Sequence, residues 1–165
     1  MQRKFAVLSA CAALWAAPAF ASVSSPNDIW FSWDAARVMA LAGELGDTAE
    51  KIDDTPGAPP SVGITTPSGL KYIVEPTACD GSNCAGFELT AAFDANATTD
   101  QMNQFNLLRS FTKAYVDSGS TFLTRYEIND YGIPKGNIAA DMTNFEAVAA
   151  DFEEFLSTGK IGDGK

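Results

Sequence analysis

The sequence has 165 residues, with 11 Lys and Arg against 21 Asp and Glu and no His, so its formal net charge is −10. The absence of His excludes Ser-His-Asp and Cys-His catalysis and zinc sites with imidazole ligands. The acidic charge argues against binding to nucleic acid or to an anionic lipid surface, because both need a basic face.

The first 21 residues have the pattern of a secretory signal peptide. Arg3 and Lys4 precede an apolar run that ends in the small-x-small sequence of residues 19–21. We expect cleavage after Ala21, which gives a periplasmic or secreted protein and takes the net charge from −10 to −12. The run is too short for a stable membrane anchor, which needs about 20 apolar residues. Lipoprotein processing at Cys11 is disfavoured, because too few apolar residues precede it.

The segment that follows, residues 22–33, is rich in aromatic residues. We expect Trp30, Phe31 and Trp33 to cover an edge or a face of the core, and a ligand site is the alternative. Apolar residues at helical spacing then predict a helix over residues 34–46, which Gly46 ends.

Four segments between this helix and the next are interpreted as strands. Residues 48–54 and 61–66 are weakly patterned and lie on either side of a proline-rich loop. Residues 70–77 and 85–93 show the alternation of polar and apolar residues that is typical of a sheet with one buried face.

Cys79 and Cys84 lie on either side of the turn-forming sequence Asp-Gly-Ser-Asn. In an oxidising compartment we expect them to form a disulfide that closes a hairpin, with a stabilisation of about 2 kcal/mol. The CxxxxC spacing and the lack of a basic residue in the loop argue against a redox pair. Two sulfurs without His supply only half of a tetrahedral site, so we expect no metal there.

A second helix is predicted from about Thr99 to Lys113. Its apolar face is opposite a polar stripe of Asn106, Arg109 and Lys113. This stripe is partly basic in an acidic protein, so we consider these three residues as candidates for binding a partner. The alternative is a solvated helix face that holds local ion pairs.

The last part of the chain is predicted to form a strand pair, a helix and a flexible tail. The strand pair comprises residues 115–117 and 121–130, and in the second of these Phe122, Tyr126 and Ile128 alternate with Leu123, Arg125 and Glu127. Asn137 is the predicted cap of a helix that extends to about residue 157 and packs an apolar stripe on the sheet. Residues 158–165 are predicted to be frayed.

This order of elements is typical of an α+β fold in which helices flank an antiparallel sheet. Within it, residues 103–152 resemble the YbjN family of bacterial sensory transduction regulators. The resemblance is carried by NQFNLLRSFTKAYVDSGSTFLTRYEIND and the following YGIPKGNIAADMTNFEAVAADF. It extends over residues 34–157, which we take as the domain, and the cystine hairpin resembles that of exported members.

The resemblance implies a fold similar to type III secretion chaperones, in the order α-β-β-β-α-β-β-α, with a curved antiparallel sheet backed by helices. It also implies a regulatory or chaperone-like role, with no enzyme activity, cofactor or catalytic residue. The chain departs from the family in residues 47–66, which are unusually rich in proline, so the number of strands there is left open.

Together these features predict an exported, non-catalytic domain that binds a protein or peptide through a sheet face or edge, or through the stripe of Asn106, Arg109 and Lys113. One alternative is a module that senses a small molecule or a lipid in a cavity lined by Trp30, Trp33 and the aromatic residues of the sheet. A third class, an enzyme that uses paired carboxylates, has no supporting motif in the sequence. The sequence identifies neither the partner nor the oligomeric state.

Overall fold

A computed structural model describes residues 22–53 and 55–160 of the protein. The predicted signal peptide, residues 1–21, lies outside the described residues, as does most of the predicted tail, residues 161–165. Within the described ranges, no helix is long and apolar enough to cross a membrane.

The described chain forms three helices and eight strands. The helices are α1 (Ala35–Leu45), α2 (Thr99–Leu108) and α3 (Lys135–Thr158). The strands are β1 (Ile29–Trp30), β2 (Thr48–Ile52), β3 (Ser61–Thr65), β4 (Lys71–Asp80), β5 (Asn83–Phe93), β6 (Lys113–Asp117), β7 (Ser120–Ile128) and β8 (Ile133–Pro134).

Six of the strands form one antiparallel sheet in the order β2-β3-β4-β5-β7-β6, and β1 pairs with β8 in a separate two-stranded sheet. The predicted α+β class is therefore confirmed. The four segments interpreted as strands between the first two helices are all strands, whereas the order implied by the resemblance has one strand too few there. Residues 47–66 supply two strands there, because β2 and β3 pair over their full lengths on either side of the proline-rich loop.

The helices pack against one face of the sheet. Helix α1 contacts β2 and β3, and α3 contacts β5 and β7. Large apolar side chains from both layers are fully buried between them, including Leu41, Ile64, Leu89, Leu123 and Phe145. Each such side chain contributes about 1.5–3 kcal/mol. The residues that alternate with this core along the strands point to the opposite face, which none of the three helices covers.

Helix α1 agrees with its prediction, because both of its ends are determined by local residues. Asp34 accepts hydrogen bonds from the backbone N–H groups of Ala36 and Arg37 at 2.9 and 3.2 Å. Gly46 has a φ of 94°, in the left-handed region that glycine adopts easily, and it ends the helix.

Helix α2 is shorter than predicted. It begins with a capping box between Thr98 and Gln101 and ends at Leu108, whereas the helical pattern of the sequence extends to Lys113. Residues 113–117 instead form β6, which pairs with β7 along its whole length. Pairing with a strand that comes later in the chain overrides the local helical pattern here, so the prediction for residues 109–113 is wrong.

Helix α3 packs on the sheet as predicted, but it starts two residues before the predicted cap. Pro134 is the N-cap residue, and Asn137 lies in the first turn. The N–H of Lys135 donates to the carbonyl of Asp28 at 2.8 Å, so the N-terminal segment supplies an acceptor that a capping side chain would otherwise provide.

The aromatic N-terminal segment covers the core, as expected, through its two tryptophans. Trp30 and Trp33 are buried, and the Trp33 ring lies 6.1 Å from that of Phe87. The Trp33 indole N–H donates to the carbonyl of Pro60 at 3.0 Å. Phe31 is 63% exposed, so the expectation is wrong for this residue.

Candidate functional site

The side of the sheet that faces away from the helices is the candidate site, and we call it the open face. The strand registers bring together on it residues from all six strands. It consists of Glu50, Ile52, Gly63, Lys71, Ile73, Glu75, Glu88, Thr90, Ala92, Lys113, Tyr115, Phe122 and Tyr126.

A shallow depression of about 530 Å³ lies on the β2, β3 and β4 side of the open face. Gly63 keeps it open, because a Cβ at this position would lie 3.2 Å from Cδ1 of Ile52 and 3.3 Å from Cγ of Glu50. Ile73 and Phe122 also line the depression. Glu50, Lys71 and Glu75 line it as well, so the depression combines apolar and charged side chains.

The middle of the open face exposes large apolar side chains. Ile73 is 37% exposed and Tyr126 is 45% exposed. The rings of Tyr115 and Phe122 stack with their centroids 5.2 Å apart, and Nζ of Lys113 lies 5.2 Å from the Tyr115 centroid. These side chains make the open face a candidate interaction surface.

An acidic group lies beside this apolar surface. Glu75 and Glu88 are directly opposite each other across β4 and β5. Burial, together with the carboxylates of Glu88, Asp117 and Glu75, raises the pKa of the Tyr115 hydroxyl. Like charges directly opposite each other in a sheet destabilise it. The pairing of Glu75 with Glu88 therefore lowers the stability of the domain, and packing of the fold gives no reason for it.

The predicted disulfide between Cys79 and Cys84 is present in the structure. It joins β4 to β5 four residues beyond Glu75 on one strand and four residues before Glu88 on the other. Because the covalent link sets the register of this hairpin, it also holds the two glutamates opposite each other.

Asn106, the first of the three predicted partner-binding residues, bonds to the backbone of β6. Its side-chain amide donates to the carbonyl of Ala114 at 2.9 Å, and its amide oxygen accepts from the N–H of Ala114 at 2.7 Å. Since β6 is an edge strand, these bonds occupy backbone groups that would otherwise be free to pair with another chain.

Arg109 and Lys113, the other two, lie in different parts of the fold. Arg109 follows the end of α2 and forms an ion pair with Asp151 of α3, with Nη2 to Oδ2 at 2.9 Å. Lys113 is exposed on the open face. The three residues therefore do not share one helix face, and their role in binding a partner stays a prediction.

The site residues predicted from the sequence do not include Glu75, Glu88, Ile73 or Tyr126. One signal could have identified the glutamates. In a hairpin closed by the turn between Cys79 and Cys84, the residues four positions outside the cysteines are opposite each other, and both are Glu.

Close carboxylates also occur behind the sheet, where the enzyme hypothesis would need them. Asp47 is 8% exposed and lies beside Glu146, which accepts from the Tyr72 hydroxyl at 2.8 Å. Glycosidases separate their two carboxyl groups by about 5–9.5 Å, which adjacent carboxyls such as Asp47 and Glu146 do not match.

The two tryptophans of the sensing hypothesis are packed in the core, and neither lines the depression on the open face. The sheet aromatics Tyr72 and Phe122 do line that depression, so sensing of a small molecule or a lipid stays an alternative prediction.

Comparison with known proteins identifies the family. The model of the YbjN family, described as "Putative bacterial sensory transduction regulator", matches residues 34–157. The chain belongs to the YbjN family. A search of curated proteins finds no match. The family description supports a regulatory role for this YbjN domain and is not that of an enzyme family.

Proposed function

We propose that this YbjN domain is an exported, non-catalytic regulator that binds a segment of a partner protein on the open face of its sheet. The segment has apolar side chains next to Lys or Arg. The apolar side chains pack on Ile73 and Tyr126, and the basic side chains pair with Glu75 and Glu88.

The observation that carries this proposal is the direct opposition of Glu75 and Glu88. A cation between two carboxylates is attracted to both of them and offsets their mutual repulsion. The stability that the free domain loses through this repulsion is therefore regained in the complex. The net charge, which is −10 for the whole sequence and −12 after the predicted cleavage, further steers a basic partner toward the domain.

The apolar part of the open face supplies the remaining affinity. Ile73 and Tyr126 are exposed in the free domain, and the depression of about 530 Å³ has room for apolar side chains of the partner. Burial of apolar surface contributes roughly 25 cal/mol per Å², so covering these residues favours binding without any change of fold.

Export is supported by two independent features of the sequence. Residues 1–21 have the pattern of a signal peptide, and the pairing of Cys79 with Cys84 suits an oxidising compartment. Both features suit a regulator that meets its partner outside the cytoplasm.

Fluorescence anisotropy with two labelled peptides tests the proposal. One peptide alternates Val with Lys, and the other alternates Val with Glu. We expect only the first to bind, and we expect Glu75→Gln/Glu88→Gln to weaken its binding about fivefold, from the loss of two ion pairs. The matched control is Glu153→Gln/Glu154→Gln, which removes the same charge from exposed positions on α3.

Three results would contradict the proposal. They are equal binding of both peptides, no binding of either peptide, and equal weakening by the control variant. Equal weakening would mean that net charge alone attracts the peptide.

A further inference from the structure

Two pairs of carboxyl groups connect α3 to the rest of the fold. Glu146 of α3 lies beside Asp47, and Asp141 of α3 lies beside Glu127 of β7, where both carboxyl groups contact Nη2 of Arg125. Asp47 and Glu127 are each only 8% exposed. Two neighbouring carboxylates in a buried site repel each other, and a proton on one of them removes the repulsion and allows a hydrogen bond, so each pair is favoured when it holds a proton.

The first pair has no cation among its hydrogen-bond partners. The Tyr72 hydroxyl of β4 donates to Oε1 of Glu146 at 2.8 Å. Oδ2 of Asp47 is buried, and no donor of the described chain reaches it. Glu146 also lines a cleft of about 700 Å³, whose other charged residues are Lys71, Asp94 and Glu153.

The second pair shares one cation. Nη2 of Arg125, on β7, lies 2.5 Å from Oε1 of Glu127 and 3.6 Å from Oδ1 of Asp141. The Arg125 guanidinium also lies 4.3 Å from the centroid of the Phe111 ring. One guanidinium offsets only one of two carboxylates, so the second is stabilised by a proton.

We propose that these two carboxyl pairs form a proton-operated latch, which holds α3 on the sheet in acid and loosens it as the pH rises above neutral. Strands β4 and β7, to which Tyr72 and Glu127 belong, carry Ile73 and Tyr126 on the open face. When the latch loosens, these strands lose contacts behind the sheet, and binding of the partner on the open face weakens. This effect on binding rests on the proposed function.

The direction of the pH effect follows from which state binds more protons. Burial, helped by Asp47, raises the pKa of Glu146 from 4.5 to about 7. Burial and the neighbouring Asp141 raise the pKa of Glu127 from 4.5 to about 7. Between these values the folded state binds more protons than the unfolded state. The stabilisation is thus complete below pH 4.5 and is lost as the pH rises through about 7.

Thermal unfolding between pH 5.5 and pH 8.5 tests the latch without any peptide. We expect the midpoint of the wild type to fall by about 3–6 °C across this range. In Glu146→Gln/Asp141→Asn, each amide imitates the protonated acid, so the fall should shrink to less than half. The control Asp100→Asn/Glu154→Gln removes the same charge from exposed positions on α2 and α3 that do not line the cleft, and it should keep the slope of the wild type.

The latch is refuted if the wild-type midpoint stays constant or rises over this range. It is also refuted if the double variant loses stability as steeply as the wild type, because the slope then arises elsewhere. Carbon-13 NMR of the carboxyl groups gives a second readout. A titration of Glu146 near pH 7 supports the latch, and a titration near its ordinary value of 4.5 contradicts it.

Binding of the Val-Lys peptide at pH 6 and pH 8 separates the two proposals. If both are right, binding is about threefold weaker at pH 8 and this difference disappears in Glu146→Gln/Asp141→Asn. A pH-dependent midpoint without any peptide binding would reject the proposed function and leave the latch standing. Peptide binding with a midpoint that does not depend on pH would reject only the latch.

Discussion

Glu75 and Glu88 are directly opposite each other on the exposed side of the β4 and β5 hairpin, and a disulfide four residues away on each strand holds them in register. A fold selected only for stability would place opposite charges there, because a cross-strand ion pair contributes about 0.2–1 kcal/mol. The arrangement suits a protein in which the two carboxylates lower the stability of the free domain but bind a cation of the partner.

The first prediction is that Glu75→Gln changes stability and binding in opposite directions. Removal of one of two facing charges should raise the free energy of unfolding by about 0.5 kcal/mol. The same change should weaken binding of the Val-Lys peptide about twofold to threefold, because one ion pair is lost. Urea denaturation and anisotropy on one preparation measure both. A variant that is less stable and binds normally would contradict this explanation of the pair.

The second prediction concerns the apolar part of the open face. Ile73→Thr keeps a β-branched side chain in the strand but removes apolar surface, so we expect a small change of stability and about tenfold weaker binding of the peptide. Val116→Thr is the matched control, because Val116 is 39% exposed, close to the 37% of Ile73, and lies off the open face. Equal weakening in both variants would show that the peptide does not recognise the open face.

The third prediction assigns Asn106 to folding. Asn106→Ala leaves the N–H and the carbonyl of Ala114 without their partners, and we expect the free energy of unfolding to fall by about 1–3 kcal/mol. Since β6 would then expose a free edge, the variant should also self-associate, which analytical ultracentrifugation measures. Normal stability with weaker peptide binding would instead support the prediction from the sequence, in which Asn106 contacts the partner.

The fourth prediction is that Cys79→Ser/Cys84→Ser lowers the free energy of unfolding by about 2 kcal/mol, as expected for a short covalent loop. Because the link holds Glu75 opposite Glu88, peptide binding should weaken as well. Reduction of the wild type with dithiothreitol should reproduce both effects. If the serine variant binds the peptide as the wild type does, the disulfide has no role in positioning the glutamates.

The features that local residues determine could be predicted from the sequence. Asp34 and Gly46 mark the ends of α1, and the turn between Cys79 and Cys84 sets the hairpin. In each case the interacting groups are close in the chain, so composition and spacing contain the information. The end of α2 could not be predicted in this way, because pairing of β6 with β7 overrides the helical pattern at Lys113.

The candidate site was harder to predict, because its parts are far apart in sequence. Asn106 belongs to a helix by its pattern, and only the folded chain shows that its amide bonds to Ala114 of a strand. Likewise, no spacing connects Asp47 with Glu146, which meet where α3 crosses the end of the sheet. A helical wheel places Arg109 in a polar stripe but cannot show its ion pair with Asp151.

The most direct test of the central claim, that a basic and apolar segment binds on the open face, is NMR mapping with nitrogen-15-labelled domain and the unlabelled Val-Lys peptide. We predict that the largest shifts of the backbone amides occur in β4, β5 and β7 around Ile73, Glu88 and Tyr126, and that α1 and α3 change little. Shifts concentrated on the helices, or around Arg109, would contradict the claim.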